Sequence, residues 1–362
     1  MSARPEKIVR DEIRALAAYH VPAAEGMVKL DAMENPYRLP EELRRAIGDA
    51  VAEAAFNRYP DPRAPALMKR LREVAGIGPE FDILLGNGSD EIIHIITQCV
   101  ARPGAVVAAL RPSFVMFGLY AQFAGLRFVG VPLNADFTLD ADAVLQALAE
   151  HRPAVVFIAY PNNPTGNLFS EEAIAAIISA APGLVVIDEA YHPFAGKTFM
   201  TRLPEFPNLV VMRTLSKLGL AGIRLGYAVA RPQWIREFDK VRAPYNVNVL
   251  TQIVAERVLA HHDVLDAQAR QINAERERLA GRLKGLHGVT VFPSDANFIL
   301  TRVPDAPRVF EGMRRRGVLV KSLHGGVSLL DHCVRLTIGM PQENDQCFAA
   351  FSAALAETLR GR

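Results

Sequence analysis

The sequence predicts an α/β chain: a large domain with a mostly parallel central sheet sandwiched by helices, and a smaller α/β domain beside it. Three observations lead there. Strand-like apolar runs alternate with helix-like ones from about residue 82 to residue 240, the pattern of successive βα units. Two of these runs, Ala154-Val155-Val156-Phe157-Ile158 and Leu184-Val185-Val186-Ile187, read as buried strands. Each is followed closely by polar residues with little packing reason to be there, as in the ligand-facing crevice at the carboxyl ends of strands in an open α/β sheet.

The elements follow in chain order. Residues 1–40 read as an arm that closes over the site from the side of the small domain. A short strand at 82–85 leads through a glycine-rich turn into a helix at 92–100. Strands are expected at 105–110, 126–131, 154–159, 184–187, 210–212 and 226–230, punctuated by turns rich in Pro and Gly. A long helical stretch begins near residue 251 and continues past residue 282, leaving the large domain for the small one. There, 289–301, 318–321 and 334–338 read as strands, and 308–316 and 342–359 as helices. The expected division is a large domain at 41–260, with the arm and small domain formed by 1–40 plus 261–362.

Composition narrows the function. The chain has 362 residues and a formal net charge of +2, which leaves no basic excess for nucleic acid. Half of it is hydrophobic, yet no apolar run is long and uninterrupted enough to span a bilayer. Residues 1–14 are charged throughout and lack a signal-peptide core. Cys99, Cys333 and Cys347 are few and widely spaced, which suits a reducing compartment and gives no metal pattern. A cytoplasmic metabolic enzyme without a metal is expected.

The chemistry centres on Thr214-Leu215-Ser216-Lys217, with Arg224 beyond it, after the apolar run Leu209-Val210-Val211-Met212. A lysine near a packed interior is lowered in pKa or engaged chemically, for example in a Schiff base. The two earlier runs lead into Tyr160-Pro161-Asn162-Asn163-Pro164-Thr165-Gly166 and Asp188-Glu189-Ala190-Tyr191. Taken singly, Asn163 is a turn initiator, Asp188 a helix cap, Tyr191 an amphipathic wall and Lys217 a surface residue. Their shared placement after strands brings all four to one crevice. A phosphate cradle is expected at Gly86-Asn87-Gly88-Ser89-Asp90-Glu91, where glycines allow close backbone approach and a helix N-terminus offers free N–H groups. Asp90 is expected to cap that helix while Gly88 and Ser89 meet the phosphate.

These segments, in this order, resemble the fold-type I pyridoxal-phosphate (PLP) aminotransferases. The resemblance implies that Lys217 carries PLP and acts as general base, and that Asp188 faces the pyridine nitrogen. It implies that Asn163 and Tyr191 bond the ring oxygen, that Phe114 stacks on the ring, and that Ser216 and Arg224 complete the phosphate site with Gly88, Ser89 and Asp90. The chain further resembles the histidinol-phosphate aminotransferase family. That likeness rests on Ile13-Arg14-Ala15-Leu16-Ala17-Ala18-Tyr19, Lys29-Leu30-Asp31-Ala32-Met33-Glu34-Asn35-Pro36-Tyr37, Asn57-Arg58-Tyr59-Pro60-Asp61-Pro62, Ala296-Asn297-Phe298 and Cys333-Val334-Arg335-Leu336-Thr337-Ile338-Gly339. It implies amino exchange between L-glutamate and imidazole acetol phosphate, giving 2-oxoglutarate and L-histidinol phosphate. Arg335, Tyr19, Lys321 and Asn35 would hold substrate, and Tyr59 would reach a partner's cofactor phosphate across a homodimer interface. Many members carry arginine where Lys321 stands; lysine keeps the charge and loses the two-pronged fork. Aromatic amino acid transamination, decarboxylation of an O-phospho amino acid and a non-enzymatic PLP-binding regulator or carrier remain open at this point.

Overall fold

The computed structural model describes residues 3–18 and 22–360. Its strands are β1 (Val28–Lys29), β2 (Asp82–Asn87), β3 (Val106–Arg111), β4 (Arg127–Pro132), β5 (Val155–Ala159), β6 (Leu184–Asp188), β7 (Leu209–Thr214), β8 (Leu225–Ala230), β9 (Thr290–Val291), β10 (Phe298–Arg302), β11 (Val318–Leu319), β12 (Lys321–Ser322) and β13 (Cys333–Thr337). Seven of them form one sheet in the order β2-β8-β7-β6-β5-β3-β4. Strands β4, β3, β5, β6 and β7 run parallel, as the βα alternation predicts.

Strand β8 runs antiparallel to both its neighbours, β7 and β2. The link 215–224 is shorter than the dozen or so residues that a parallel crossover needs. Because β8 reverses direction, β2 points the same way as β7. Asn87 ends opposite Leu225 and Thr214 opposite Gly226, so the glycine-rich turn after β2 reaches the same sheet edge as the Lys217 segment.

Alternation sends Val185, Ile187, Val211, Tyr227 and Val229 into one core layer. Leu184, Val186, Val210, Met212 and Ala228 face the other layer, against Ile92, Ile93 and Ile96 of the helix Ser89–Cys99. Each such side chain contributes about 1.5–3 kcal/mol on full burial, so the central strands are rigid supports for what projects from their ends.

The second sheet is antiparallel, in the order β12-β13-β10-β9. Its core includes Leu279 and Leu283 of His262–Lys284, Val309 and Met313 of Ala306–Arg315, and Phe351 and Leu355 of Pro341–Arg360. Three expected elements are divided here. The helical stretch from 251 breaks at His261, whose φ of −125° and ψ of 41° are not helical, into Val249–Leu259 and His262–Lys284. The strand expected at 289–301 is interrupted between β9 and β10, where Ser294 Oγ accepts from Ala296 N and donates to Phe298 O. The strand at 318–321 splits because β11 pairs with β1 while β12 pairs with β13. The β1–β11 pairing is parallel and brings the arm alongside the second sheet.

Candidate active site

The turn after β2 enters Ser89–Cys99 through Gly88, whose φ of 82° and ψ of 167° belong to a region open essentially to glycine alone. A Cβ on Gly88 would lie 2.6 Å from Arg224 Nη2, and one on Gly226 would lie 2.5 Å from Ser89 N. The two glycines therefore let three chain segments converge on the helix N-terminus. No side chain caps that helix, which corrects the capping role expected of Asp90. Glycine takes the cap position, and Asp90 turns to Arg224, with Oδ2 accepting from Nη2 at 3.4 Å. Asp90 Oδ1 is buried without a hydrogen-bond partner. Arg224 itself holds φ at 52°, a costly backbone for arginine, and donates from Nη1 to Ser216 Oγ at 3.2 Å. Thr214 steadies Ser216, its Oγ1 accepting from Ser216 N at 3.1 Å. Free helix N–H groups, two hydroxyls and a guanidinium thus surround one position, a donor set that fits a phosphate.

A cavity of about 100 Å³ extends from this cradle, lined among others by Phe114, Asn163, Asp188, Tyr191 and Lys217. Asp188 closes β6, in register with Ala159 and Met212, and its Oδ1 accepts from Ala190 N at 3.1 Å. Burial pushes its carboxyl up to about 7; the nearby Asp90 and Glu189 add to this, while the Ala190 N–H and Lys217 oppose it. Burial likewise brings the Lys217 ammonium down to about 8, helped by the positive charges of Arg335 and Arg224. Burial also holds the Tyr191 hydroxyl protonated, with Asp188 adding and Arg335 opposing. A buried carboxylate strained toward protonation fits a cationic ring N–H, and an amine biased toward its neutral form fits a nucleophile. With the phosphate cradle at one end, these residues match the chemistry of a phosphorylated pyridine aldehyde.

Residues 31–33 run across the site. Three successive carbonyls accept from three different side chains: Asp31 O from Arg335 Nη2 at 2.9 Å, Ala32 O from Lys217 Nζ at 3.0 Å, and Met33 O from Asn297 Nδ2 at 3.0 Å. Met33 has φ at 53°, and this left-handed turn helps carry the carbonyl strip across the site. The sequence gives no sign of it, since methionine is not a left-handed residue type.

Arg335 lies in β13 and is buried, while Val334 and Leu336 face the core of the second sheet, as alternation predicts. Its Nη1 donates to Asn163 Oδ1 at 2.6 Å, and its guanidinium lies 5.3 Å from the Phe298 ring centre. Lys321 pairs in register with Arg335 across β12 and β13. Both line a second cavity of about 710 Å³, which shares Met33, Phe114 and Asn163 with the first.

Two expected site residues stand apart from this cluster. Asn35 Nδ2 donates to Leu218 O and Gln268 Oε1, and its Oδ1 accepts from Tyr37 N, so it anchors the segment after Lys217. Tyr59 is 80% exposed and stacks on Tyr245 at 4.5 Å. Tyr19 lies outside the described residues. Thr214 and Gly226, which sequence reasoning left without a role, belong to the cradle.

Comparison with known proteins identifies the family. The profile of the family described as "Aminotransferase class I and II" matches residues 25–351. Histidinol-phosphate aminotransferase 1 of Ralstonia nicotianae is 58% identical over 357 residues, covering 97% of this chain and 96% of its own. Histidinol-phosphate aminotransferase 2 of Cupriavidus pinatubonensis is 56% identical, covering 97% and 98%. The solved histidinol-phosphate aminotransferase of Sinorhizobium meliloti, in complex with pyridoxal-5'-phosphate, superimposes with a TM-score of 0.86 at 25% identity, covering 97% of this chain and 98% of that one. By the family profile over residues 25–351 and by these relatives, the chain belongs to the class I and II aminotransferases and, within them, to the histidinol-phosphate aminotransferase family.

Proposed function

We propose that this protein is a PLP-dependent transaminase that exchanges an amino group between L-glutamate and imidazole acetol phosphate, giving 2-oxoglutarate and L-histidinol phosphate. One observation carries the reading: the Asp188–Lys217 cavity shares Asn163 with a larger cavity in which Arg335 and Lys321 stand side by side. Like charges directly opposite on neighbouring strands repel, and an anionic substrate group between them relieves the repulsion. Arg335 offers a carboxylate a two-pronged contact, and Lys321 adds a compact charge for a phosphate ester.

Ser89, Ser216 and Arg224 would hold the PLP phosphate, and the bound cofactor would supply the electron sink for the substrate Cα carbanion. The chain's own residues do the rest. Asp188 would hold a proton on the ring nitrogen, Asn163 and Tyr191 would bond the ring oxygen, and Phe114 would pack against the ring, all four lining the one cavity. Lys217, buried and biased toward its neutral amine, would anchor the cofactor and serve as the general base that moves the substrate Cα proton. The arm carbonyls 31–33 keep water from the reacting centre.

The domain division at 41–260 against 1–40 plus 261–362 allows the small domain to close on the substrate. A homodimer completes the site. Tyr59, Phe56, Tyr245, Val241 and Leu250 are exposed hydrophobics, and Asn246 ties this region to the cradle by donating to Leu85 O and Glu91 Oε2. No helix among the described residues is long and apolar enough to cross a membrane. Steady-state formation of 2-oxoglutarate from L-glutamate and imidazole acetol phosphate tests the proposal. Turnover only with phenylalanine or tyrosine would favour an aromatic aminotransferase, release of carbon dioxide from an O-phospho amino acid a decarboxylase, and no turnover with any amine a cofactor carrier.

A further inference from the structure

Glu189 sits between Asp188 and Tyr191 yet takes no part in the chemistry above. Strand alternation turns it to the opposite face of the sheet, where its side chain is fully buried. Its Oε2 accepts from Arg213 Nε at 2.9 Å and forms an ion pair with Nη2 at 2.8 Å. Thr198 Oγ1 donates to the same carboxylate at 2.9 Å, Phe199 N donates to Oε1 at 2.5 Å, and Arg213 Nη2 donates to Thr198 Oγ1 at 2.8 Å. Arg213 is also hydrogen-bonded to Tyr227, its in-register neighbour on β8. His192 packs near this cluster, and burial together with the Arg213 charge keeps it neutral. The backbone joins in, with Glu189 N donating to Met212 O at 2.8 Å.

Stability alone does not call for these charges. The same face carries Ile187 and Val211 one step back along the strands, and an apolar pair of similar volume in place of a buried ion pair is often neutral or stabilising. What the pair adds is direction. A guanidinium that reaches one carboxylate oxygen through both Nε and Nη2, with Thr198 bridging the pair, fixes two backbones relative to each other more narrowly than aliphatic contact does. One backbone carries Asp188 and Tyr191; the other continues into Thr214, Ser216 and Lys217.

We propose that Glu189 and Arg213 are positioning residues, whose ion pair on the far face of the sheet sets the placement of Asp188 and Tyr191 against Lys217. This rests on the site reading given above. A displacement of about 1 Å at a reacting group costs on the order of 10²-fold in rate, so a looser link registers in the bound cofactor and in turnover.

The test uses PLP-loaded enzyme carrying Glu189→Leu with Arg213→Met, and separately Arg213→Lys, which keeps the charge and loses the fork. Three quantities are read: the thermal midpoint, the visible circular dichroism per bound PLP, and kcat with KM. The double variant is expected to lose at least half of its visible ellipticity and to fall about 10²-fold in kcat with little change in KM, both read well below its thermal midpoint. The midpoint itself should drop, because Thr198, Phe199 N and Tyr227 lose their partners. Arg213→Lys is expected to fall alongside it, which keeps the proposal testable if the double variant does not fold. Ellipticity and kcat at the parent level in either soluble variant would overturn the proposal. Lys217→Ala separates the two claims: retention of the covalent visible band there would refute the site assignment itself, and with it the pair's role.

Discussion

Replacing Asp188 by asparagine separates what the carboxylate costs the empty fold from what it does for the cofactor. In the cofactor-free protein, burial raises the Asp188 carboxyl from 3.8 to about 7. The folded state therefore holds this proton over a range where the unfolded chain has already released it. The group's stability contribution is intact below pH 3.8, declines as pH rises through that window, and stays at its lowest above pH 7. A rise of about three units, at about 1.4 kcal/mol each, amounts to about 4 kcal/mol. Asparagine keeps the oxygen that accepts from Ala190 N and does not titrate. Its added N–H groups cost about 1–3 kcal/mol if left unpaired, but that cost is the same at every pH. The stability of Asp188→Asn relative to the parent should therefore rise by about 4 kcal/mol between pH 4 and pH 8. Urea unfolding of both cofactor-free proteins at the two pH values measures it. In the loaded enzyme the order reverses, because asparagine carries no charge for the ring proton. A stability difference independent of pH would show that Asp188 is not held toward protonation, and the electrostatic account of the site would fail.

Other outcomes follow from the same geometry. Arg335→Met should lower kcat/KM for both L-glutamate and the phosphorylated acceptor by about 10²-fold, as expected for a charged hydrogen bond of about 3 kcal/mol; unchanged PLP content by absorbance would place the loss at the substrate. Gly88→Ala places a Cβ against Arg224 in a backbone region open only to glycine, and should cost about 1–3 kcal/mol of stability by urea unfolding as well as weaken PLP retention. Met33→Gly relieves a left-handed backbone but deletes a buried side chain of the second core. Truncation at about 2–5 kcal/mol outweighs strain relief of about 1–2 kcal/mol, so the cofactor-free protein should lose stability, read as a fall in its thermal midpoint.

Lys217, Asp188, Tyr191 and Asn163 were legible because polar residues directly after buried strands have few other reasons to be there, and the strand-end crevice gathers them without knowledge of side-chain geometry. Arg335 was legible through alternation in β13. The less legible features depend on pairings between distant segments. The reversed direction of β8, which delivers the Gly88 turn to the Lys217 edge, follows from a short link that the alternating apolar pattern does not register. Asp90 reads as a helix cap because acidic residues favour that place, but the cap belongs to Gly88 and Arg224 claims the carboxylate. Asn35 sits in a motif that resembles a substrate segment, yet its side chain binds Leu218 O and Gln268. The break at His261 and the divided strands at 289–301 and 318–321 arise where neighbours change, and local propensity does not encode the neighbour.

The most direct test of the central claim is a single half-reaction followed by visible absorbance. Purified PLP-loaded protein is mixed with L-histidinol phosphate alone, and 2-oxoglutarate is then added. The expected result is conversion of the lysine-linked PLP band to the pyridoxamine-phosphate band, with return of the first band on adding 2-oxoglutarate and no such cycle in Lys217→Ala. A PLP-loaded protein whose spectrum is unmoved by histidinol phosphate would contradict the assigned reaction.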